Sequence, residues 1–351
     1  MNDPRQLRQC AADDAWPRAR NPLGTAIFRG EPADFQVAES LSFSPTGAGE
    51  FVLVRVRKVD RNTADVAREL ADHAGVSARA VSWAGRKDRR AVARQWFSVH
   101  LPGRADPDWS AAGAEGWTVE HAERHRRKLR AGALAANRFV ITLRDVGADA
   151  SPMTERAREL AAAGVPNYFG PQRFGRGGSN LLAAASGRRL RRNERSLALS
   201  AARSALFNAV LAERVAARTW DTILPGEVPM LAASRAIFGP ETDGEALAER
   251  AGRGEIDPTG PLWGPGTPRA VAEVAELEAT VIDRFPELTS ALEAARAAPE
   301  RRRLRLMPRD LTLATPGAGI VELRFELEPG TFATSVLREF FDIRSAPRAA
   351  E

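Results

Sequence analysis

The chain has 351 residues, of which 44% are hydrophobic and 27% are charged, which excludes a disordered or fibrous protein and is typical of a soluble globular one. At roughly 100–200 residues per domain, this length predicts two domains. The net charge is +6, and arginine supplies most of the positive charge because lysine occurs only at positions 58, 87 and 128. An arginine-rich surface suits a polyanion but also serves solubility, so charge alone does not decide for nucleic acid.

The few cysteines and histidines limit the possible chemistry. Cys10 is the only cysteine, which excludes a disulfide framework and a cysteine-based zinc site and fits a reducing, cytoplasmic compartment. His121 and His125 are four apart and could share a helix face, but two ligands are too few for a convincing metal site. We therefore expect solvated histidines and no bound metal.

Residues 1–24 are polar and irregular, and we predict an extended lead-in there. We do not expect a signal peptide, because this segment carries Asp3, Asp13 and Asp14 and has no apolar stretch. Since the chain has no run of about 18 apolar residues, no transmembrane helix is expected.

Alternation of hydrophobic and polar residues predicts the first strands. In residues 51–58 (FVLVRVRK) the three valines take one face of a strand and the two arginines take the other. Asn62 is a suitable cap for a helix that carries Val66 and Leu70 on one face and ends at Gly75. Further strands are predicted at residues 80–83, 95–101 and 137–144.

Alanine-rich helical patterns, such as residues 199–218, replace the strand patterns from about 165 to 306, with a Gly/Pro-rich interruption at 238–268. Alternation returns at 320–328, and a helix is predicted at 332–341. The prediction is an α+β protein, with a sheet domain built from residues 1–164 and 307–351 and a mostly helical domain, residues 165–306, inserted between them.

Asp88 lies in a charged turn between two predicted strands, with Arg86, Lys87, Arg89 and Arg90 around it. Neighbouring positive charge favours the ionised carboxylate, and the same cations, Lys87 included, would attract a phosphate group. A solvated hairpin turn with a surface salt bridge explains the same residues, so the turn by itself does not identify a site.

Four further side chains could face a ligand. Asn137 and Phe139 project from the same face of a predicted strand, and an amide on that apolar face needs hydrogen-bond partners, which the edge of a base could supply. Phe35, Phe139 and Phe332 suit either the core or stacking on a base.

Three basic clusters, at residues 124–130, 188–195 and 301–305, would each be a solvated face if taken alone, but together they favour a polyanionic partner. The stretch Gly175–Gly178 lacks the lysine and the serine or threonine of a phosphate-binding loop. No nucleotide cofactor is therefore expected.

Four long, ungapped motifs occur at residues 84–96 (AGRKDRRAVARQW), 165–175 (VPNYFGPQRFG), 200–208 (SAARSALFN) and 330–339 (GTFATSVLRE). They resemble signatures of the tRNA pseudouridine synthase D (TruD) family, and the resemblance extends from about residue 25 to about residue 344. Ala93, where the family often has threonine, is a departure.

The resemblance implies a circularly permuted pseudouridine synthase sheet domain with an inserted TRUD domain. It implies Asp88 as the nucleophile and Phe139 as the aromatic residue that stacks on the target base. Phe35, Asn137 and Phe332 match positions that contact the uridine. Arg29 falls where the family usually has a basic lysine.

The implied activity is isomerisation of uridine to pseudouridine, at uridine 13 of tRNA-Glu, by a cytoplasmic monomer. The product is an isomer, so the reaction requires no cofactor, metal or co-substrate. Two other functions stay open: a non-catalytic RNA-binding protein or RNA chaperone, and an RNA hydrolase that uses Asp88 with a metal. The hydrolase would require clustered carboxylates, and the motif supplies only one.

Overall fold

The computed structural model describes residues 4–12, 15–240 and 244–345. Asp3, Asp13 and Asp14 of the predicted lead-in therefore lie outside the described residues. The helices are α1 (Pro4–Gln9), α2 (Thr63–His73), α3 (Ala150–Ala163), α4 (Ser179–Ala185), α5 (Arg192–Ala216), α6 (Gly244–Gly252), α7 (Ala272–Ile282), α8 (Pro286–Ala294) and α9 (Ala333–Leu337).

The strands are short to medium in length and occur along the whole chain. They are β1 (Thr25–Phe28), β2 (Phe35–Leu41), β3 (Phe51–Val59), β4 (Val81–Trp83), β5 (Val92–His100), β6 (Gly113–Ala114), β7 (Trp117–His125), β8 (Leu134–Arg144), β9 (Val165–Pro166), β10 (Met230–Leu231), β11 (Ile256–Asp257), β12 (Thr259–Leu262), β13 (Glu300–Arg303), β14 (Arg305–Leu306), β15 (Arg309–Gly317), β16 (Ile320–Leu327) and β17 (Asp342–Ser345).

The described residues form two compact units. Residues 22–161, 308–330 and 340–345 form the sheet unit, and residues 4–21, 162–307 and 331–339, with the gaps given above, form the helical unit. The chain passes from one unit to the other at 161–162 and 307–308, and both boundaries lie close to the predicted limits of 165 and 306. Two segments expected in the sheet domain, 4–21 and 331–339, group instead with the helical unit. The predicted extended lead-in is wrong in part, because it contains α1, whose Leu7 packs into the core of the helical unit.

An 11-stranded mixed sheet forms the sheet unit. Its main path runs β15-β16-β8-β2-β5-β3-β7-β6. Off this path, β1 pairs with β8, β17 pairs with β1, and β4 pairs with β5. Neighbouring strands on the main path are antiparallel except β2 and β5, which are parallel. Strand β8 therefore lies between β2 and β16, which places Phe139 opposite both Val37 and Phe325.

The predicted valine face of β3 is confirmed, since Val52, Val54 and Val56 are buried and pack with Val66 and Leu70 of α2. The opposite face is not simply solvated. It carries Leu53, which packs with Trp96 and Leu129 in a second cluster. The strands predicted at 80–83, 95–101, 137–144 and 320–328 are observed as β4, β5, β8 and β16.

Helix α5 is the centre of the helical unit. Its Ala198, Ala201, Ala202 and Ala205 are buried, and side chains this small let α4, α7 and α8 approach closely. Three two-stranded sheets, β9 with β14, β10 with β11, and β12 with β13, supplement the helices. The sequence did not predict these strands, because segments of two to four residues are too short to show alternation.

The predicted helix at 332–341 is observed only as α9, residues 333–337, followed by turns. Within the part of the chain that the structure describes, no helix combines the length and the apolar character needed to cross a bilayer.

Candidate active site

Asp88 lies in the loop between β4 and β5, residues 84–91, which we call the Asp88 loop. Its carboxylate is about half exposed and forms an ion pair with the Arg29 guanidinium. The surface salt bridge weighed from the sequence therefore exists, although its partner is distant in sequence and is not one of the cations in the turn.

Arg29 follows β1 and adopts a left-handed backbone conformation, with φ of 61°. This conformation is uncommon for residues other than glycine. The guanidinium of Arg29 lies over two rings, and its Cζ is 4.8 Å from the centroid of Phe28 and 4.5 Å from that of Phe35. Its Nε is buried without a hydrogen-bond partner among the described residues. Arg29 thus joins the Asp88 carboxylate to an aromatic surface.

That aromatic surface is a row of four phenylalanines on β1, β2, β8 and β16. Neighbouring ring centroids lie 5.5 Å apart for Phe28 and Phe35, 5.9 Å for Phe35 and Phe139, and 5.5 Å for Phe139 and Phe325. Phe35 and Phe139 are 5% and 8% exposed. Both rings are therefore part of the core, as the simpler interpretation of the sequence held, and little of either ring is exposed.

Asn137 lies two residues before Phe139 on β8, opposite Glu39 of β2 and Leu327 of β16. The side-chain oxygen of Asn137 is buried and has no hydrogen-bond partner among the described residues. A buried acceptor without a partner is unfavourable by about 1–3 kcal/mol, so native proteins rarely retain one without a use for it.

Buried polar groups hold the Asp88 loop from beneath at several points. Lys58 Nζ donates to the backbone oxygens of Asp88 and Arg61, both at 2.8 Å. Gln95 Nε2 donates to the oxygen of Gly85 at 2.7 Å, and the backbone nitrogen of Lys87 donates to Thr63 Oγ1 at 3.1 Å. The loop backbone is consequently fixed while the Asp88 side chain stays accessible.

A buried ion pair adds a further anchor. Lys87 Nζ pairs with the Glu39 carboxylate, whose other oxygen accepts a 2.7 Å hydrogen bond from the backbone nitrogen of Trp96. Lys87 was predicted to bind substrate through its charge. The structure instead shows its ammonium in contact with Glu39, with only 10% of the side chain exposed.

Burial also alters the acid–base behaviour of two anchoring groups. It lowers the pKa of the Lys58 ammonium to about 8, against the opposing attraction of Asp88, Asp60 and Glu39. It raises the pKa of the Glu39 carboxyl, although the Lys87 ammonium acts in the opposite direction. In both groups the loss of hydration outweighs the favourable charges nearby.

Lys58, Glu39, Thr63 and Gln95 were not predicted as site residues. Two of them gave a signal in the sequence. Lys58 continues the buried series Val52, Val54 and Val56, and Glu39 continues Phe35 and Val37. A charged residue on the apolar face of a strand requires a specific partner.

Phe332, the remaining predicted site residue, belongs to the helical unit and precedes α9. There its ring packs against Phe169, with centroids 6.0 Å apart, and Arg173 lies over both rings. The six other predicted residues, which are Asp88, Arg29, Phe35, Lys87, Asn137 and Phe139, all belong to the sheet unit.

Comparison with known proteins places the chain in a family. The family model described as tRNA pseudouridine synthase D (TruD) matches residues 20–181 and 178–340. The chain is 46% identical over 344 residues to "tRNA pseudouridine synthase D" of Xanthomonas euvesicatoria pv. vesicatoria, covering 92% of this chain and 93% of the relative. The chain belongs to the TruD family.

Another TruD-family relative, from Methylococcus capsulatus, is 44% identical over 339 residues, covering 95% of this chain and 96% of the relative. A crystal structure from Methanosarcina mazei, described as a tRNA pseudouridine synthase D, superposes with a TM-score of 0.70 at 21% identity, covering 97% of this chain and 98% of that one. This likeness confirms the predicted α+β fold.

The prediction of solvated histidines is confirmed for His121 and wrong for His125, and the shared helix face considered for the pair is also wrong. His121 and His125 lie on strand β7 rather than on a helix. His121 is exposed, whereas His125 is buried against the ring of Phe43, with centroids 4.6 Å apart. Over residues 4–12, 15–240 and 244–345, no group of three or more His, Cys, Asp and Glu side chains is arranged to hold a metal ion.

The three basic clusters differ in exposure. In clusters 124–130 and 188–195 most of the charged side chains are exposed. Cluster 301–305 is not a solvated face, because Arg301 pairs with Glu278 and Arg305 with Asp257. Its charge is used inside the helical unit, so only the first two clusters offer free basic surface.

Proposed function

We propose that the chain isomerises uridine to pseudouridine in tRNA, at uridine 13 of tRNA-Glu, with Asp88 as the nucleophile. The observation that carries the proposal is the Asp88 loop, whose backbone is fixed by buried groups while its carboxylate remains accessible beside Arg29. A tRNA substrate implies that the enzyme works in the cytoplasm, and we propose that it is a monomer.

The target uridine must first leave its stack, which costs about a few kcal/mol. In our proposal the base then stacks on Phe139 and contacts Phe35, and Asn137 contacts the polar edge of the base. Phe332, in the helical unit, is also proposed to contact the substrate. Arg29 gives up part of its contact with Asp88 to a phosphate, and Lys87 acts indirectly by anchoring the loop.

Pseudouridine formation breaks the bond from N1 to C1′ and forms a bond from C5 to C1′. The hydrogen on C5 leaves as a proton and N1 gains a proton, so the product is an isomer and no electrons are exchanged. The ionised Asp88 carboxylate could remove the 2′ proton to form a glycal, or attack C1′ or C6. Each route begins with the same charged oxygen.

We also propose a domain assignment. Residues 165–306 form the inserted TRUD domain, and residues 1–164 and 307–351 form the catalytic domain that carries Asp88. The break in sequence pattern near 165 and 306 supports this division, as do the changeovers between the two compact units at 161–162 and 307–308.

Tritium release tests the function. tRNA-Glu transcripts labelled with tritium at C5 of uridine should lose label when the protein is added, and a matched transcript with cytidine at position 13 should lose none. Equal release from both transcripts would reject position 13 as the target. Binding without any release would leave a non-catalytic RNA-binding protein.

Asn137→Ala tests the proposed contact with the uridine. We expect kcat/KM to fall about tenfold, corresponding to the loss of one hydrogen bond of about 1.4 kcal/mol. Because the amide oxygen has no partner in the free protein, the midpoint of thermal unfolding should not decrease. A wild-type kcat/KM, or an equal loss of stability and activity, would contradict a direct contact.

A further inference from the structure

The helical unit contains a cation among aromatic rings that the proposed chemistry does not use. The Arg173 guanidinium carbon lies 5.4 Å from the ring centroid of Phe169 and 5.9 Å from that of Phe332. Arg302 approaches the same Phe169 ring at 4.1 Å. We call Phe169, Arg173 and Phe332 the Arg173 cluster.

In the part of the chain that the structure describes, the charge of Arg173 has no counterion. There its partly buried guanidinium makes a single hydrogen bond, from Nη1 to Ser200 Oγ at 3.2 Å, and its Nε is buried without a partner. Among the described residues, no carboxylate oxygen lies within 4.0 Å of this guanidinium. Burial lowers the pKa of Arg173, and no opposing attraction compensates for it.

Three other arginines of the same unit, each with a side chain no more than 10% exposed, are paired with acidic residues. Arg214 Nη1 lies 2.8 Å from Glu227 Oε2, Arg301 Nη2 lies 2.8 Å from Glu278 Oε1, and Arg305 Nε lies 2.6 Å from Asp257 Oδ1. In each of these three pairs a carboxylate satisfies the guanidinium. An arginine that is partly desolvated and left without one is suited to an anion from outside the protein.

The backbone that carries Arg173 is rigidly held. Asn208 exchanges two hydrogen bonds with the backbone of Phe169, at 2.9 and 3.0 Å, and Asn180 Nδ2 donates to the oxygen of Arg173 at 3.3 Å. Gly175 ends the turn with φ of 77°, and a Cβ there would lie 2.4 Å from Ser179 Oγ. The guanidinium is thus preorganised rather than carried on a free loop.

We propose that the Arg173 cluster is a phosphate-binding subsite for the tRNA backbone, placed beside the nucleotide that contacts Phe332. The planar guanidinium fork matches phosphate oxygens, and the two rings hold it in position. The inference rests on the proposed function for the identity of the RNA, but it concerns binding and not the chemical step.

The test measures tRNA binding by fluorescence anisotropy across a series of KCl concentrations, in an Asp88→Asn background that prevents turnover. Arg173→Met should raise Kd about tenfold and reduce the slope of log K against log salt by about 0.7–0.9, as expected for one lost phosphate contact. Arg253→Met is the matched control. It removes one positive charge from the same unit, but Arg253 is exposed and paired with Glu255 at 2.7 Å, so we expect less than a twofold change in Kd.

Arg173→Lys separates charge from shape. It should keep the parent's salt slope while raising Kd about threefold, because lysine lacks the fork. If Arg173→Met does not fold, Arg173→Lys alone tests the proposal, and a Kd of Arg173→Lys equal to the parent's would overturn it. For a folded Arg173→Met, an unchanged salt slope would likewise overturn it.

The outcome is independent of the proposed reaction. Failure of wild-type protein to release tritium would reject the proposed function while the binding difference between Arg173→Met and Arg253→Met still supported the subsite. Conversely, active protein whose tRNA affinity is unaffected by Arg173→Met would reject the subsite alone.

Discussion

Asp88→Asn should reduce tritium release from tRNA by about 10⁴-fold or more, the scale on which loss of a catalytic nucleophile acts. Asparagine has nearly the same size but carries no charge, so it can neither attack carbon nor remove the 2′ proton. The Asp88 side chain is 47% exposed, and an exposed ion pair such as that with Arg29 contributes only about 0–1 kcal/mol. Folding and tRNA binding should therefore survive.

Asp60→Asn is a close control for this experiment. Asp60 is 46% exposed and pairs with Arg89 of the Asp88 loop at 3.4 Å, so the substitution removes a similar charge from the same neighbourhood. We expect nearly full activity. If Asp88→Asn retained wild-type release, Asp88 would not be the nucleophile; if both variants were equally inactive, the effect would be one of local charge.

The second large effect should come from the buried pair beneath the loop. Glu39→Gln and Lys87→Met each leave one charged partner buried and alone, which should lower the free energy of unfolding by about 3–5 kcal/mol. The double variant removes both charges, and its glutamine can still accept the hydrogen bond from Trp96. It should lose clearly less stability than the sum of the two single losses.

Urea denaturation followed by tryptophan fluorescence measures these losses, and tritium release measures kcat in parallel. We expect kcat to fall in the single variants, because the backbone of Lys87 adjoins that of Asp88 and the loop would lose an anchor. Strictly additive losses of stability would mean that the contact between Glu39 and Lys87 does not hold the loop.

Periodicity predicted the elements that are long and regular. The alternation of Val52, Val54 and Val56 and the period of Val66 and Leu70 report burial directly, so β3 and α2 were found from the sequence. The short strands β9 to β14 follow from tertiary contacts instead, and no local pattern reveals them. The residues 301–305 illustrate the same difficulty, because their carboxylate partners are distant in sequence.

The candidate site was predicted unevenly for physical reasons. The charged motif around Asp88 predicted a turn between two strands. The two-residue spacing of Asn137 and Phe139 predicted that both side chains project from the same face of a strand. Arg29 was named as a site residue only from resemblance, and its ion pair with Asp88 was not predicted, since the two residues are distant in sequence. The ion pair of Lys87 could not be predicted, because nothing near Lys87 in the sequence indicates that its ammonium lies against Glu39 of β2.

The Asp88 loop has an anchored side and an exposed side, which has a consequence for engineering. Gly85, Lys87 and the Asp88 carbonyl are held from below, whereas the side chains of Arg86, Arg89 and Arg90 are exposed. The outward residues can therefore be randomised without disturbing the inward ones. A library at these three positions should yield enzymes with altered RNA preference and an unaltered reaction.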